Sequence, residues 1–431
     1  MLVNCADPEV AERPETGRDE DGYQATIAAL RELEGDRTLM VRSGKPAGVF
    51  RTQAEAPRVV IQTEGPAGLN EAVAASWLCV GTQIGLPAAY EAFAAAARKH
   101  FGGTLAGRLV ATCGMGATGG ALPLAATLNG AAFLGVDADA EQIKRRVKSG
   151  YCEAMVNDLD EALRILKNSV RKRESASVGL IGNCADVIPE LARRGIVPDL
   201  LVDCTSAYGS LDSYIPSGLT AEQACDLQRA DGQSYRLRAV DSAAAQVRGI
   251  LGLKRLGSLA FRFGGGLGER GPVDEASEIP DFGTQYIQPL WSEGRTLLLW
   301  VALSGEPADI ARADRLALDV FSGNEAAARW IRLAGKHVQF QGLPARVCLV
   351  HKALRAKFGM ALNELVTQGT IKTPMVIGCE DLGGGNANGP RLPMLAIVAD
   401  GTTEMARRIA RVLGNVADQV THPAPGKIPA P

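Results

Sequence analysis

Three glycines and one carboxylate have the spacing of a nucleotide-binding turn. Residues 109–112 form a short apolar run, and Gly114-x-Gly116-x-x-Gly119 follows at once. An Ala- and Leu-rich stretch comes next, then a second apolar run over 131–136 that ends in Asp137. The order is strand, tight turn, helix, strand, acid. In such a unit the first two glycines let the backbone turn sharply and approach a pyrophosphate, and the third lets the helix pack against the strand. The helix start offers unpaired N–H groups to phosphate. Asp137 lies where a carboxylate accepts hydrogen bonds from an adenosine ribose. An ordinary crossover with a glycine-rich turn has the same glycines, so the flanking strands and the acid carry the reading.

Cys348 is the second candidate. It follows a Gly- and Pro-punctuated stretch, with Arg346 just before it and His351 and Lys352 just after. Nearby cations lower a thiol's pKa and favour thiolate. A small buried hydrophobe at a helix start has the same surroundings in sequence. Lys45, in Ser43-Gly44-Lys45-Pro46, either binds an anion in a turn or is solvated. The histidines are at 100, 337, 351 and 422, none in a metal-binding spacing, and no GxSxG is present. Neither a metal centre nor a serine hydrolase is expected.

These residues need a scaffold. Apolar periodicity places helices at 23–34, 86–100, 141–147, 160–167, 187–195, 239–255, 307–320, 324–336, through 357 to 366, and 402–413. It places strands at 58–62, 109–112, 131–136, 176–181, 199–203, 259–262, 297–303, 375–377 and 396–398, with a strand–turn–strand unit over 38–50. Small polar residues close several strands, at 183–185 and 204–208. In a doubly wound sheet, ligands bind beyond the carboxyl ends of the strands. The endings at 113–119, 137, 183–185 and 204–208 should therefore meet in one crevice.

Composition narrows the class. The chain has 431 residues, enough for two or three domains, and its 46% apolar and 22% charged content is that of a globular protein with a sizeable core. A net charge of −2 gives no nucleic-acid footprint. Glycine-rich and aromatic-poor composition favours an α/β fold with backbone-lined turns. Nine scattered cysteines with no CxxC read as reduced thiols in a cytosol. The acidic, polar first 22 residues do not read as a signal peptide, and no apolar run approaches a membrane span. A cytoplasmic protein that binds neither membrane nor nucleic acid is expected.

Longer strings then resemble one family. SGKPAGVF (43–50), APRVVI (56–61), GGALPLAATLNGA (119–131), GNCADVIPELARRG (182–195), TSA (205–207), ALSGEPADI (302–310), FQGLPARVC (340–348), LRAKFGMALNE (354–364) and DGTTEMARRIARVL (400–413) are similar to urocanate hydratase, urocanase. The similarity is collinear over about residues 4 to 415, and FQGLPARVC together with the glycine turn is specific to that family. The resemblance implies a Rossmann-type doubly wound NAD domain inserted into a discontinuous α/β core. The corresponding divisions are 1–106 and 285–431 for the core and 107–284 for the NAD domain. It implies a homodimer with tightly held NAD+, used as an electrophile toward the imidazole ring of urocanate, and water addition without net redox.

Carried over by position, the implied NAD contacts are Gly114, Gly116, Ala117, Thr118, Gly119, Asp137 (where the family has Glu), Asn183, Cys184, Cys204, Thr205, Ser206, Ala207, Tyr208, Tyr214, Ile215 and Phe263 (where the family has Tyr). Cys348 matches the family's active-site cysteine, and Glu380 matches an Asp that follows the family's Val-Ile-Gly-Arg. Glu71 replaces the Gln of Gln-Met-Thr-Ala-Gly-Ser-Trp, with Val73 at the Thr. A family Arg, a carboxylate partner there, becomes Leu299. Arg346, Lys45 and Arg391 are the cations that could replace it. The N-terminal Tyr-Gly-Gly and the C-terminal His-His-Gly-Gly-Gly loop are absent. The expected function is a hydratase of urocanate or of a thio- or methyl-substituted imidazole acrylate. The alternatives are a non-catalytic NAD-binding regulator and an NAD-dependent dehydrogenase.

Overall fold

In the computed structural model, residues 37–42, 45–51, 59–62, 81–116, 118–205, 214–263, 274–340, 343–380 and 394–414 are described, with a few isolated positions besides. In chain order the elements are β1 (Arg37–Arg42), β2 (Lys45–Arg51), β3 (Val59–Gln62), α1 (Leu86–His100), β4 (Leu109–Cys113), α2 (Leu122–Leu128), β5 (Ala132–Asp137), α3 (Ala140–Lys148), β6 (Ala154–Val156), α4 (Leu159–Lys172), β7 (Ala176–Ile181), α5 (Cys184–Arg193), β8 (Leu200–Asp203), α6 (Ala221–Ala230), α7 (Gly232–Arg255), β9 (Leu259–Arg262), α8 (Gln288–Ser292), β10 (Arg295–Ala302), α9 (Pro307–Val320), α10 (Glu325–His337), β11 (Ala345–His351), α11 (Leu354–Thr367), β12 (Met375–Glu380), β13 (Met394–Ala399) and α12 (Thr403–Gly414).

The middle of the chain forms a six-stranded parallel sheet, ordered β6-β7-β5-β4-β8-β9. Its central strands are near-continuous apolar runs because helices cover both faces. Val110, Phe133, Leu200, Val202 and Phe261 turn one face toward α1 and α2. Ala111, Leu134, Val178, Leu180, Leu201 and Ala260 turn the other toward α5 and α7. The sheet grows outward in both directions from β4, so its strand order reverses between β4 and β8. That reversal is a topological switch point, where the two flanking turns separate and open a crevice.

The second sheet has seven strands in the order β11-β10-β12-β13-β3-β1-β2. Here β3, from the N-terminal part, pairs antiparallel with β13, from the C-terminal part. Leu298, Trp300, Cys348, Val350, Ile377 and Cys379 enter the same core as α1, α2 and one face of the parallel sheet. The two sheets thus meet along a shared apolar seam.

Helix ends follow local chemistry. Asp139, Asp158 and Asn183 accept backbone N–H groups at the starts of α3, α4 and α5. Thr220 and Gln223 form a reciprocal capping box that starts α6, a helix the periodicity did not single out. A second correction concerns Cys348. One of its two sequence readings puts it at a helix start, but it sits mid-strand in β11. β11 lies against β10, and its Val347 and Val350 suit a strand buried on both faces.

Candidate active site

The glycine turn leaves β4 and crosses directly over the end of β8. Gly114 has φ +84°, and a side chain there would meet the Cys204 carbonyl oxygen at 3.0 Å. A Cβ on Gly119 would lie 2.0 Å from the Gly114 carbonyl oxygen. Both positions therefore need glycine, the first for its backbone angle and the second for close approach. Gly116 differs: a Cβ there meets nothing within 4 Å among the described residues. This is the side on which the turn presents its backbone.

Asp137, at the end of β5, fastens the turn. One carboxylate oxygen accepts the Met115 N–H at 2.7 Å and the other accepts the Asp139 N–H at 2.9 Å. Each oxygen keeps a lone pair for a further donor. Burial raises the Asp137 pKa to about 6, against the lowering effects of those two N–H groups and of Arg146. Arg146 braces the same turn from α3. Its Nε donates to the Met115 carbonyl at 3.1 Å, and its Nη1 donates to the Thr82 hydroxyl.

The other strand endings arrive at the same place. Cys204 and Thr205 lie against Gly114 and Gly119. Cys184, the first residue of α5, donates to the Val136 carbonyl at 3.4 Å, and its thiol neighbours that of Cys113. The Asn183 amide donates to the Ile215 carbonyl at 2.7 Å while its oxygen caps α5. The convergence expected for 113–119, 137, 183–185 and 204–208 is therefore present in the described part.

Some named residues are engaged by the protein itself. The Tyr214 hydroxyl donates to Gln246 at 3.0 Å, and the Gln246 amide donates to Asp203 and Thr205. Asp203 is fully buried, and burial raises its pKa to about 6 despite these donors. The Phe263 ring stacks edge-on against Phe282, and its N–H donates to the Asp203 carbonyl. Sequence reasoning missed Gln246, mid-helix in α7, and Arg146. Nothing in the spacing of either marks it, because each acts across the fold.

Cys348 lies on the core face of β11, wholly buried. Its pKa moves opposite to the expected direction. Burial and the nearby carboxylates of Asp314 and Glu91 raise it, and the opposing pull of Arg346 is smaller. Strand alternation explains the miss. Arg346 shares the face of Cys348, whereas His351 and Lys352 sit exposed at the strand end. Arg346 is 3% exposed, and its Nε and Nη2 donate to Asp314 at 3.1 and 2.8 Å. Trp300 donates to the other Asp314 oxygen at 3.0 Å. Leu299 is wholly buried, packed over Gly378.

Lys45 begins β2 and Glu380 ends β12; only their backbone positions are described. Ala117, Ser206, Ala207, Tyr208, Glu71 and Arg391 lie outside the described residues, as does the segment replacing the lost loop. Among the described residues no group of three or more His, Cys, Asp or Glu is arranged to hold a metal ion. No helix among them is long and apolar enough to cross a membrane.

A parallel sheet with a switch point, a glycine turn and an acid on the next strand define an α/β protein with a Rossmann-like unit. More particularly, the chain belongs to the urocanase family. The family's N-terminal domain matches residues 1–65, its Rossmann-like domain residues 81–286 and its C-terminal domain residues 289–394. Membership implies a hydro-lyase of the urocanate hydratase type.

Proposed function

We propose that the protein adds water to an imidazole acrylate, urocanate or a ring-modified urocanate, with NAD+ held in the crevice between β4 and β8. The observation that carries this reading is the glycine turn, closed by Gly119, locked by Asp137 and open on the side of Gly116. A pyrophosphate fits against that open backbone, and the free lone pairs of Asp137 suit ribose hydroxyls. Thr118, Asn183, Cys184, Cys204 and Thr205 line the approach. Bound there, NAD+ supplies an electron-poor ring that polarises the substrate's conjugated system.

The chain's own groups do the rest. Cys348, kept protonated by burial, acts in this reading as a neutral thiol beside the substrate rather than as a nucleophile. Glu380 is assigned the role of the family's acid. Leu299 is sealed against Gly378, so the substrate carboxylate takes another cation. We read 107–284 as inserted into a core made of 1–106 and 285–431, which the pairing of β3 with β13 supports. A homodimer in the cytoplasm completes the reading by family likeness.

The test is direct. The purified protein is denatured and the supernatant assayed for NAD. The intact protein is then given urocanate, and loss of the acrylate's ultraviolet absorbance is followed. Released NAD and absorbance loss without formation of reduced nicotinamide support the reading. Absence of NAD, or reduction of added NAD+, overturns it in favour of a binding protein or a dehydrogenase.

A further inference from the structure

Three buried polar atoms at the seam between the two sheets have no hydrogen-bond partner among the described residues: Gln83 Oε1, Tyr151 Oη and Arg346 Nη1. Their side chains are 1%, 1% and 3% exposed. They come from three segments that the fold brings together. Gln83 lies in the turn before α1, beside Thr82, whose hydroxyl takes the Arg146 guanidinium. Tyr151 follows α3, and its N–H donates to the Arg146 carbonyl at 2.8 Å. Gly150, next to it, packs on the Gln339 amide, where a Cβ would fall 2.8 Å from Nε2. Phe340 follows, and its ring lies 5.9 Å from the Arg346 guanidinium carbon.

Buried polar groups without partners are uncommon, because each forfeits its bonds to water. Here two are donors, a guanidinium N–H and a phenol, and the third is an acceptor. Burial raises the Tyr151 pKa, with Arg146 and Arg346 both opposing, so the phenol stays a neutral donor. Asp314 orients Arg346 through Nε and Nη2 and leaves Nη1 directed elsewhere.

We infer that Arg346 Nη1 and Tyr151 Oη form the subsite for the substrate carboxylate, with Gln83 Oε1 accepting a substrate N–H. This rests on the hydratase reading and supplies the cation that Leu299 does not. A guanidinium N–H and a neutral hydroxyl are strong donors to a carboxylate, and the amide oxygen matches the N–H of an imidazole. The ligand class is a small imidazole carrying a carboxylate.

The test uses the intact purified protein and two probes that cannot be hydrated: imidazole propionate, which has the carboxylate, and 4-ethylimidazole, which lacks it. Calorimetry should show the first binding at least about tenfold more tightly, the ratio expected for one charge-assisted hydrogen bond. Tyr151→Phe should narrow that gap about tenfold while leaving the ligand-free melting temperature unchanged or higher, since the lost hydroxyl has no partner. Arg346→Lys should narrow it further. An unchanged gap in both variants, or equal binding of the two probes by the wild type, overturns the subsite. If the gap behaves as stated but urocanate is not hydrated, the reaction is wrong and the subsite stands. If urocanate is hydrated while the gap is unaffected, only the subsite fails.

Discussion

Asp137→Asn separates a cofactor role from a structural one, because its effects on stability oppose each other while its effect on binding does not. Both carboxylate oxygens accept backbone N–H groups, from Met115 and Asp139. An amide must turn its NH2 toward one of them. That loses a charge-assisted bond of about 1.5–3 kcal/mol. The same change relieves the burial of an ionised group whose pKa is raised to about 6. Against an unfolded value near 3.9, two pKa units correspond to at most about 3 kcal/mol at neutral pH. That value is already net of the two N–H bonds, so the melting temperature of the cofactor-free variant should be no lower than that of the wild type at pH 7. A ribose hydroxyl, by contrast, loses a charged acceptor, and NAD should bind about ten- to hundredfold more weakly. Differential scanning fluorimetry and NAD content after dialysis read the two effects. Wild-type NAD content in the variant refutes the ribose assignment. A large fall in melting temperature without NAD loss makes Asp137 only a brace for the turn.

The remaining predictions are shorter. Gly116→Ala should fold normally, since its Cβ meets nothing among the described residues, yet lose NAD, whereas Gly119→Ala should lose both NAD and stability because its Cβ collides with the Gly114 carbonyl; equal behaviour of the two variants would remove the case for a pyrophosphate at Gly116. Asp203 and Asp137 have folded pKa values of about 6, above unfolded ones near 3.9, so the stability these two groups contribute to the cofactor-free protein is fully present below about pH 4 and is lost as pH rises through about 6; an Asp203→Asn variant whose melting temperature relative to wild type does not rise between pH 4 and pH 7 contradicts the burial argument. Asp314→Ala strips the partner from buried Arg346 and should cost about 3–5 kcal/mol in urea unfolding, and a loss under about 1 kcal/mol would mean the pair is hydrated. Cys348→Ser should keep much of the turnover if the thiol acts only as a neutral group, while Cys348→Ala should lower it; abolition by serine alone would restore a nucleophilic role.

Much of the parallel sheet was legible because its strands are short apolar runs punctuated by Gly114, Asn183 and Cys204, and each punctuation is itself a strand end. The crevice followed from the same marks. What could not be read were interactions made across the fold. The environment of Cys348 depends on strand alternation and on Asp314, 34 positions earlier, so the adjacent cations His351 and Lys352 misled. Gln246 and Arg146 carry no motif, because a mid-helix amide and a guanidinium gain their roles only once α7 and α3 are packed. The seam that brings Gln83, Tyr151 and Arg346 together is set by the meeting of two sheets, which no local pattern encodes.

The most direct measurement is the mass of the product formed when the freshly purified protein, with no added cofactor, is incubated with urocanate. A product one water heavier than the substrate, formed over many turnovers with no reduced nicotinamide, is the predicted result. Unchanged urocanate, or a product differing by two hydrogens, would contradict the assignment of this chain as a hydratase with its own bound NAD+.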